Sequence, residues 1–486
     1  MSRGLGDVYK RQGMEDENIA QAIPNAKASE WMEENIPLFE CPQRNFEEMY
    51  YYRWWSLRKH IKETPVGYGM TEFLVQRSYS DKYNLIACAI GHHIYESRWL
   101  RDPKYLDQII HTWYRGNDGG PMNKMNKFSS WNADAVLARY MVDADKDFML
   151  DMKENLEAEY QRWECTNRLQ NGLYWQGDVQ DGMEESISGG RKKKYARPTI
   201  NSYMYGNAKA LSLMGILSDD EGMAMRYGMR ADTLKRLVKD KLWNSRHQFF
   251  ETMRADSSAN VREAIGYIPW YFNLPDTVKQ YEVAWKEIMD ENGFSAPYGL
   301  TTAERRHPEF RTHGVGKCEW DGAIWPFASA QTLTAMANFM NNYPQTVLSD
   351  SVYFRQMELY VESQYHRGRP YIGEYLDEVT GYWLKGDQER SRYYNHSTFN
   401  DLMITGLIGL RPRLDDTVEV NPLIPADKWD WFCLDNVLYH GRNLTILWDK
   451  YGDRYHRGKG LRIFVDGKQV GYADRLTRII CENVLK

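Results

Sequence analysis

The feature that most constrains this chain is a pattern of paired amphipathic helices that recurs from about residue 45 to about residue 410. In the clearest pair, apolar residues recur at spacings of three and four from Met223 to Leu242, which places them on one helix face. The preceding segment, 202–217, has an apolar helical pattern as well. Residues 218–220, Ser-Asp-Asp, separate the two segments and supply turn and N-cap chemistry. The pattern predicts a helical hairpin.

Similar segments along the chain predict about twelve helices, or six hairpins. They lie near residues 47–62, 81–97, 103–115, 131–143, 146–165, 201–217, 220–242, 262–273, 275–291, 322–340, 350–367 and 397–409. An open solenoid would repeat at a fixed period with similar sequences, and these segments share neither property. We therefore predict a mainly α protein, an (α/α)6 six-hairpin barrel.

The pattern changes after Pro412. Residues 416–420, 444–448 and 461–467 alternate between apolar and polar side chains, and the last run ends in Asp466-Gly467, a hairpin signal. We predict a small C-terminal β-sandwich domain over residues 413–486, which follows a catalytic barrel over residues 14–412.

The first residues, 1–13, are predicted to be a non-native or disordered tail, because they lack the apolar central region of a signal peptide. If a native signal peptide is missing from this chain, a periplasmic or secreted location is favoured. Otherwise a cytoplasmic location is expected.

Composition narrows the class of partner. The 486 residues are 42% hydrophobic and 27% charged with a net charge of −5, so neither nucleic acid nor an anionic membrane is an expected partner. No apolar run is long enough to span a membrane, and no cysteine pair or other pattern predicts a metal or a cofactor. Seventeen Trp and 34 Tyr fit either stacking on sugars or the packing of a large helical core. The oligomeric state stays open.

Three long segments between helices, 166–200, 292–321 and 368–396, exceed the length of ordinary connections and are expected to converge on one rim. In the first of them, residues 181–186 read Asp-Gly-Met-Glu-Glu-Ser. Crowded, partly buried carboxyls repel one another, which raises the pKa as a general acid near neutral pH requires. The alternative is that these acids cap a helix or stay solvated.

The second motif is residues 371–383, in which Glu374 lies among aromatic side chains. A carboxylate there would activate a water on the face of the sugar opposite the acid. Inverting enzymes place the two carboxyls roughly 6.5–9.5 Å apart to leave room for this water. The alternative is a turn with surface acids.

The third motif, residues 319–326, reads Glu-Trp-Asp-Gly-Ala-Ile-Trp-Pro at the start of a helix, where Pro326 suits the first turn. Its tryptophans and acids fit a sugar platform with hydroxyl acceptors. They fit a packing motif of the barrel equally well.

These motifs resemble those of clan G glycosidases, which include family 63 glucosidases, trehalases and mannosylglycerate-hydrolase-like enzymes. Residues 182–186 resemble their Gly-Met-Asp-Asn-Ser loop, 373–381 their Glu-Asn/Lys-Tyr…Thr-Gly loop, and 320–326 their Trp-Arg-Gly-Pro-Val-Trp-Pro string. The resemblance covers about residues 130–410. It implies an inverting glycoside hydrolase that acts on an oligosaccharide or glycoside.

The resemblance also implies roles for individual residues. The family acid corresponds to Glu184 and the family base to Glu374, but the family acid is usually Asp, and Asp181 lies three residues before Glu184. The general acid is therefore Glu184 or Asp181, with Glu184 favoured. The residues expected to bind the substrate are Trp175, Arg197, Asn201, Tyr203, Trp320, Asp321, Trp325 and Tyr375.

Two other classes of function are compatible with a helical ring. A polysaccharide lyase or sugar epimerase would use His or Tyr as its base, whereas the chain has only 11 His and its long loops are rich in carboxylates. A non-catalytic carbohydrate-binding protein would be expected to have lost an acid from one of the two loops, and neither loop lacks acids.

Overall fold

Most of the chain between residues 28 and 363 is helical, and an antiparallel sheet follows near the carboxyl end. This computed structural model describes residues 21–486 except 192 and 313–317. The predicted tail, 1–13, lies outside the described residues. In the described part, no helix is both long and apolar enough to cross a membrane.

Thirteen α-helices are found in the described part of the chain. They are α1 Ala28–Asn35, α2 Arg44–His60, α3 Ile90–Ser97, α4 Lys104–Arg115, α5 Asn132–Asp143, α6 Lys146–Asn167, α7 Pro198–Leu217, α8 Glu221–Leu242, α9 Ile268–Tyr271, α10 Lys279–Glu282, α11 Pro326–Asn342, α12 Asp350–Ser363 and α13 Asn400–Leu402.

Helices α7 and α8 form the hairpin that the apolar spacing predicts. The side chain of Asp220 accepts a hydrogen bond of 2.9 Å from the backbone N–H of Met223, which caps α8 at its start. The apolar residues at this spacing are buried on one face, among them Met223, Tyr227, Leu234 and Leu242. Helix α7 begins at Pro198, a few residues before the predicted start, because proline suits the first turn of a helix.

The predicted helices near 262–273 and 275–291 are much shorter in the structure. A 3₁₀ turn, Ala264–Tyr267, leads into α9, and α10 leads into a second 3₁₀ segment, Val283–Ile288. Pro269 and Pro275 interrupt this region, and proline removes a backbone donor and clashes with the preceding helical turn. The apolar pattern here reflects burial among aromatic residues rather than one continuous helix.

Nineteen β-strands accompany the helices in the described residues, most of them short. They are β1 Leu38–Glu40, β2 Ile61–Thr64, β3 Gly67–Met70, β4 Trp175–Gln176, β5 Tyr195–Ala196, β6 Trp243–Asn244, β7 Phe249–Phe250, β8 Met253–Arg254, β9 Ser257–Ser258, β10 Ser295–Ala296, β11 Gly299–Leu300, β12 Tyr365–His366, β13 Arg369–Pro370, β14 Val418–Val420, β15 Trp431–Tyr439, β16 Arg442–Asp449, β17 Gly460–Val465, β18 Lys468–Ala473 and β19 Ile479–Cys481.

The largest sheet has the order β1-β15-β16-β17-β18, with every neighbouring pair antiparallel. Val465 pairs with Lys468 across Asp466-Gly467, so the hairpin predicted from the Asp-Gly pair is present. Both turn residues have positive φ, 48° for Asp466 and 77° for Gly467, which suits a tight hairpin turn. Strands β14 and β19 pair separately.

The sheet packs on the helices through aromatic side chains. The Trp429 ring lies 5.2 Å from Phe46 in α2 and 5.4 Å from Phe354 in α12, measured between ring centroids. The backbone N–H of His440 donates a 2.8 Å hydrogen bond to the carbonyl of Val142 in α5. Because β1 pairs with β15, residues near the amino terminus form part of the carboxyl-terminal sheet.

Candidate active site

The loop between β4 and α7, residues 177–197, is called the acid loop here. It starts with a 3₁₀ turn, Val179–Asp181, that ends at Gly182 with a φ of 73°. A Cβ at Gly182 would lie 2.3 Å from the sulfur of Cys88, so both the backbone conformation and the space favour glycine. The Asp178 carboxylate accepts from the backbone N–H groups of Val179 and Gly190, which ties the two halves of the loop together.

Asp181 lies at the buried base of the acid loop. Its carboxylate forms an ion pair of 2.7 Å with Arg197, and both side chains are 0% exposed. The hydroxyls of Ser129 and Thr199 also donate to it. With three donors on its two oxygens, this carboxylate is fully hydrogen-bonded, and it holds the acid loop against the start of α7.

Glu184 lies three residues further along in a different environment. Within the described part, no side-chain hydrogen bond or ion pair reaches its carboxyl group. Burial raises the pKa of Glu184 to about 7, and the charges of Glu374 and Asp178 add to this rise, while its own backbone N–H and Lys385 oppose it. A carboxyl group with this pKa is protonated in a large fraction of molecules at neutral pH.

Glu374 belongs to the loop that precedes α13, residues 371–396, called the base loop here. Its Oε2 atom lies 3.2 Å from Lys385 and 3.4 Å from Arg390, so two cations face one carboxylate. Glu374 is 5% exposed. A Cβ at the neighbouring Gly373 would lie 2.7 Å from the rings of Trp383 and Tyr371, so the aromatic walls approach the backbone closely. The two acids influence one another electrostatically, as the pKa of Glu184 indicates.

The third motif is joined to the base loop by backbone pairing. Ile324 and Leu376 exchange hydrogen bonds of 3.0 and 2.9 Å. The rings of Trp320 and Trp325 stack with centroids 4.4 Å apart, and Trp325 stacks on Tyr375 at 4.6 Å. All three rings are buried, and Trp325 has a ring stacked on each of its faces.

Arg311 connects the acids of these two motifs. It pairs with Glu319 at 3.0 Å and with Asp377 at 3.4 Å, and it donates to Glu378 as well. The backbone N–H of Arg311 donates to the carbonyl of the buried Asp321. The segments 292–321 and 368–396, which the sequence places far apart, therefore meet in space.

The other expected substrate-binding residues have partners inside the protein. The Asn201 side chain exchanges two 2.8 Å hydrogen bonds with the backbone of Tyr174, and the Tyr203 hydroxyl accepts from Gln331 at 2.7 Å. Trp175 is half-buried, with the Lys194 ammonium 4.4 Å from its ring centroid. Arg197 is committed to Asp181 and to two serine hydroxyls of the acid loop.

The sequence analysis missed three charged residues of this cluster. Lys385 and Arg390 lie inside the long segment 368–396, which also contains the candidate base Glu374. Their positive charges in the same segment could have indicated that they face this carboxylate. Glu72 lies between β3 and α3, and burial raises the pKa of Glu72 to about 8, with further contributions from Glu374 and Glu184. No motif surrounds Glu72, so tertiary contact alone brings it to the two acids. Among the described residues, no group of three His, Cys, Asp or Glu side chains could bind a metal ion.

Two carboxyl groups that influence one another electrostatically, one with a raised pKa and one facing cations, are typical of a glycoside hydrolase. Residues 82–397 match the family described as mannosylglycerate hydrolase MGH1-like glycoside hydrolase domain. This chain therefore belongs to that family of glycoside hydrolase domains. Residues 410–471 match the glycosyl hydrolase family 65, C-terminal domain.

Three solved structures are similar to this chain. A chain named "Sialidase" is 91% identical over 99% of this chain with a TM-score of 0.98, and this chain spans 44% of its length. The GH63 mannosylglycerate hydrolase from Thermus thermophilus in complex with glucose is 13% identical, with a TM-score of 0.54 over 73% of this chain and 99% of that one. A GH78 family rhamnosidase of a Bacillus species is 10% identical, with a TM-score of 0.59 over 88% of this chain and 41% of that one. The last two share the fold.

Proposed function

We propose that this glycoside hydrolase is an inverting enzyme in which Glu184 is the general acid and Glu374 the general base. The observation that supports the proposal best is the contrast between their surroundings. Glu184 is largely buried without an ion pair, and its pKa of about 7 keeps a transferable proton near neutral pH. Glu374 faces Lys385 and Arg390, which stabilise a carboxylate.

Glu184 is preferred over Asp181 as the acid because of hydrogen bonding. Asp181 accepts from Arg197, Ser129 and Thr199, so its oxygens are occupied by donors. A carboxylate held by three donors has little freedom to approach a glycosidic oxygen. We assign Asp181 and Arg197 to positioning the acid loop.

We propose that the helices form an (α/α)6 six-hairpin barrel of the trehalase-like kind, over residues 14–412, with a β-sandwich domain over 413–486 to which β1 adds a strand. A cavity of about 340 Å³ supports the ring, because six alternate helices contribute to its lining: α3, α5, α7, α9, α11 and α13. The acid loop, the third motif and the base loop precede α7, α11 and α13. If alternate helices run in parallel around a ring, the loops before them gather at one end.

The substrate is proposed to be an oligosaccharide or a simple glycoside. Trp175, Trp320, Trp325 and Tyr375 are the proposed apolar contacts. Trp325 lies between the other two rings of the stack, so neither of its faces is free for a sugar. Asp321 is the proposed hydroxyl acceptor.

The resemblance also suggests Asn201 and Tyr203 for substrate binding. Both side chains form hydrogen bonds with neighbouring residues, so their proposed contribution is to order the start of α7 beneath the acid loop.

The proposal is tested by incubating the purified chain with a panel of oligosaccharides and aryl glycosides and following the first product by ¹H NMR. Inversion is expected, so the newly formed reducing end initially has the anomeric configuration opposite to that of the substrate. Retention of configuration would contradict the proposed roles, because it requires a covalent intermediate.

A second candidate substrate is a sialoside, because the 91% identical chain is named a sialidase. This chain spans 44% of that protein, and the named activity could belong to the remainder. An acidic sugar needs cations for its carboxylate, and Lys385 and Arg390 are the cations beside Glu374.

Release of sialic acid from sialyllactose that disappears in Glu184→Gln would favour this candidate. Cleavage of neutral glycosides alone would favour the first.

A further inference from the structure

The segment between β3 and α3 contributes a third carboxyl group to the site. The backbone carbonyl of Glu72 accepts a 2.9 Å hydrogen bond from Asn395, whose side-chain amide donates to the carbonyl of Thr71. These two hydrogen bonds join the segment to the residues at the end of the base loop. Glu72 is 5% exposed.

The two oxygens of the Glu72 carboxyl group differ. The Tyr394 hydroxyl hydrogen-bonds to Oε1 at 2.6 Å, and the Tyr394 ring packs edge-on against Phe73 at 4.4 Å. Oε2 is buried and has no hydrogen-bond partner among the described residues. A buried polar atom without a partner costs folding free energy, so its presence in a catalytic cluster points to a ligand as the missing partner.

We propose that Glu72 is a substrate-binding residue whose Oε2 donates a hydrogen bond to a hydroxyl group of the bound sugar. The inference rests on the proposed carbohydrate site and adds a specificity contact to it. Glu72 is not needed as acid or base, because Glu184 and Glu374 fill those roles. Tyr394, which hydrogen-bonds to Glu72, also donates its backbone N–H to the carbonyl of Ile372, two residues before Glu374, so the recognised hydroxyl is expected on a sugar unit near the point of cleavage.

The donor role follows from the protonation state of Glu72. The groups that face it are Tyr394, Tyr79, Cys88 and the carboxyls of Glu184 and Glu374. Burial and these two carboxyls raise the pKa of Glu72 to about 8, so near neutral pH it is a carboxylic acid. A neutral acid donates through its O–H, whereas an ionised carboxylate only accepts.

The test compares Glu72→Gln, which keeps a neutral donor of similar size, with Glu72→Ala, which removes it. Glu63→Ala, an exposed residue of β2, is the matched control. Binding of D-glucose, D-mannose, D-galactose and L-rhamnose is measured by calorimetry at about pH 6.5, below the pKa of Glu72, and thermal unfolding checks that each variant folds.

We expect Glu72→Gln and Glu63→Ala to bind within a few-fold of the wild type and Glu72→Ala to bind roughly ten-fold more weakly, the effect of one neutral hydrogen bond. The mono-deoxy form of the bound sugar that lacks the recognised hydroxyl should bind the wild type and Glu72→Ala equally. Above about pH 8 the affinity of the wild type should change relative to that of Glu72→Gln, because ionised Glu72 can only accept from the hydroxyl, whereas the glutamine amide does not titrate. The pH series also tests the proposal if Glu72→Ala fails to fold.

The outcomes separate this inference from the proposed function. Equal affinity of the wild type and Glu72→Ala for every sugar, with no difference between wild type and Glu72→Gln above pH 8, overturns the role of Glu72 alone. Failure of all four sugars to bind the wild type overturns the neutral-sugar site together with the contact.

Discussion

The acid loop and the base loop use the same chemical group in opposite settings. In the acid loop, Glu184 is partly buried without an ion pair, and its pKa is raised to about 7. In the base loop, Glu374 faces the ammonium of Lys385 and the guanidinium of Arg390. Burial without a partner favours the protonated form of a carboxyl group, and nearby cations favour the ionised form. The two environments therefore suit opposite roles for one type of side chain.

The contrast extends within the acid loop itself. Asp181 and Glu184 are separated by two residues, yet Asp181 is paired with Arg197 and two hydroxyls. Two carboxyl groups that are close in sequence can therefore have different functions, because their partners come from elsewhere in the fold.

The largest expected effect comes from replacing the proposed base. Glu374→Gln keeps the size of the side chain and removes the group that would activate water, so turnover should fall by roughly two to four orders of magnitude while sugar binding remains. Steady-state rates on the best substrate of the panel measure this loss.

The matched control is Glu389→Gln, an exposed acid of the same loop, which should retain the wild-type rate. A wild-type rate for Glu374→Gln would contradict the assignment of the base.

Replacing the proposed acid should also slow hydrolysis, by an amount that depends on the leaving group of the substrate. Glu184→Gln should slow natural glycosides by roughly two to four orders of magnitude, because their leaving alcohols need protonation. An activated aryl glycoside needs little such help and should be slowed far less.

The neighbouring Glu185→Gln serves as control, since Glu185 pairs with the exposed Arg191. If the leaving-group contrast appears for Asp181→Asn instead of Glu184→Gln, the acid is Asp181.

Asp181→Asn should act on stability more than on chemistry. The substitution leaves the buried Arg197 guanidinium without its counter-charge, and breaking a buried ion pair costs about 3–5 kcal/mol of unfolding free energy. The ion pair of Glu185 with the exposed guanidinium of Arg191 lies at the surface, so Glu185→Gln should lower the unfolding free energy by about 1 kcal/mol or less. Chemical denaturation of both variants measures the difference, and equal stability would argue against a structural role for Asp181.

The smallest expected effect is the pH dependence of the wild type. Because Glu184 must be protonated to act as the acid and its pKa is about 7, kcat/KM for a natural glycoside should fall above about pH 7, roughly ten-fold per pH unit. In Glu184→Gln the descending limb should be absent from the residual activity. A wild-type profile that stays flat to pH 9 would mean that another group donates the proton.

Much of the helical fold could be predicted from the chain because its cause is local. The apolar spacing from Met223 to Leu242 and the cap at Asp220 lie within one hairpin. The prediction failed in 262–291, where Pro269 and Pro275 break the helices and burial among aromatic residues, rather than helical geometry, explains the apolar pattern.

By itself, the sequence determined the helical pairs, the C-terminal hairpin at Asp466-Gly467 and the loops that contain Glu184 and Glu374. These follow from spacing, turn chemistry and motif, all of which act over a few residues. The tertiary structure alone decided that Asp181 is ion-paired while Glu184 is not, and that Glu72 joins the acids from the segment before α3. Burial and distant partners set the charge state of a carboxyl group, and neither property is encoded in its immediate neighbours.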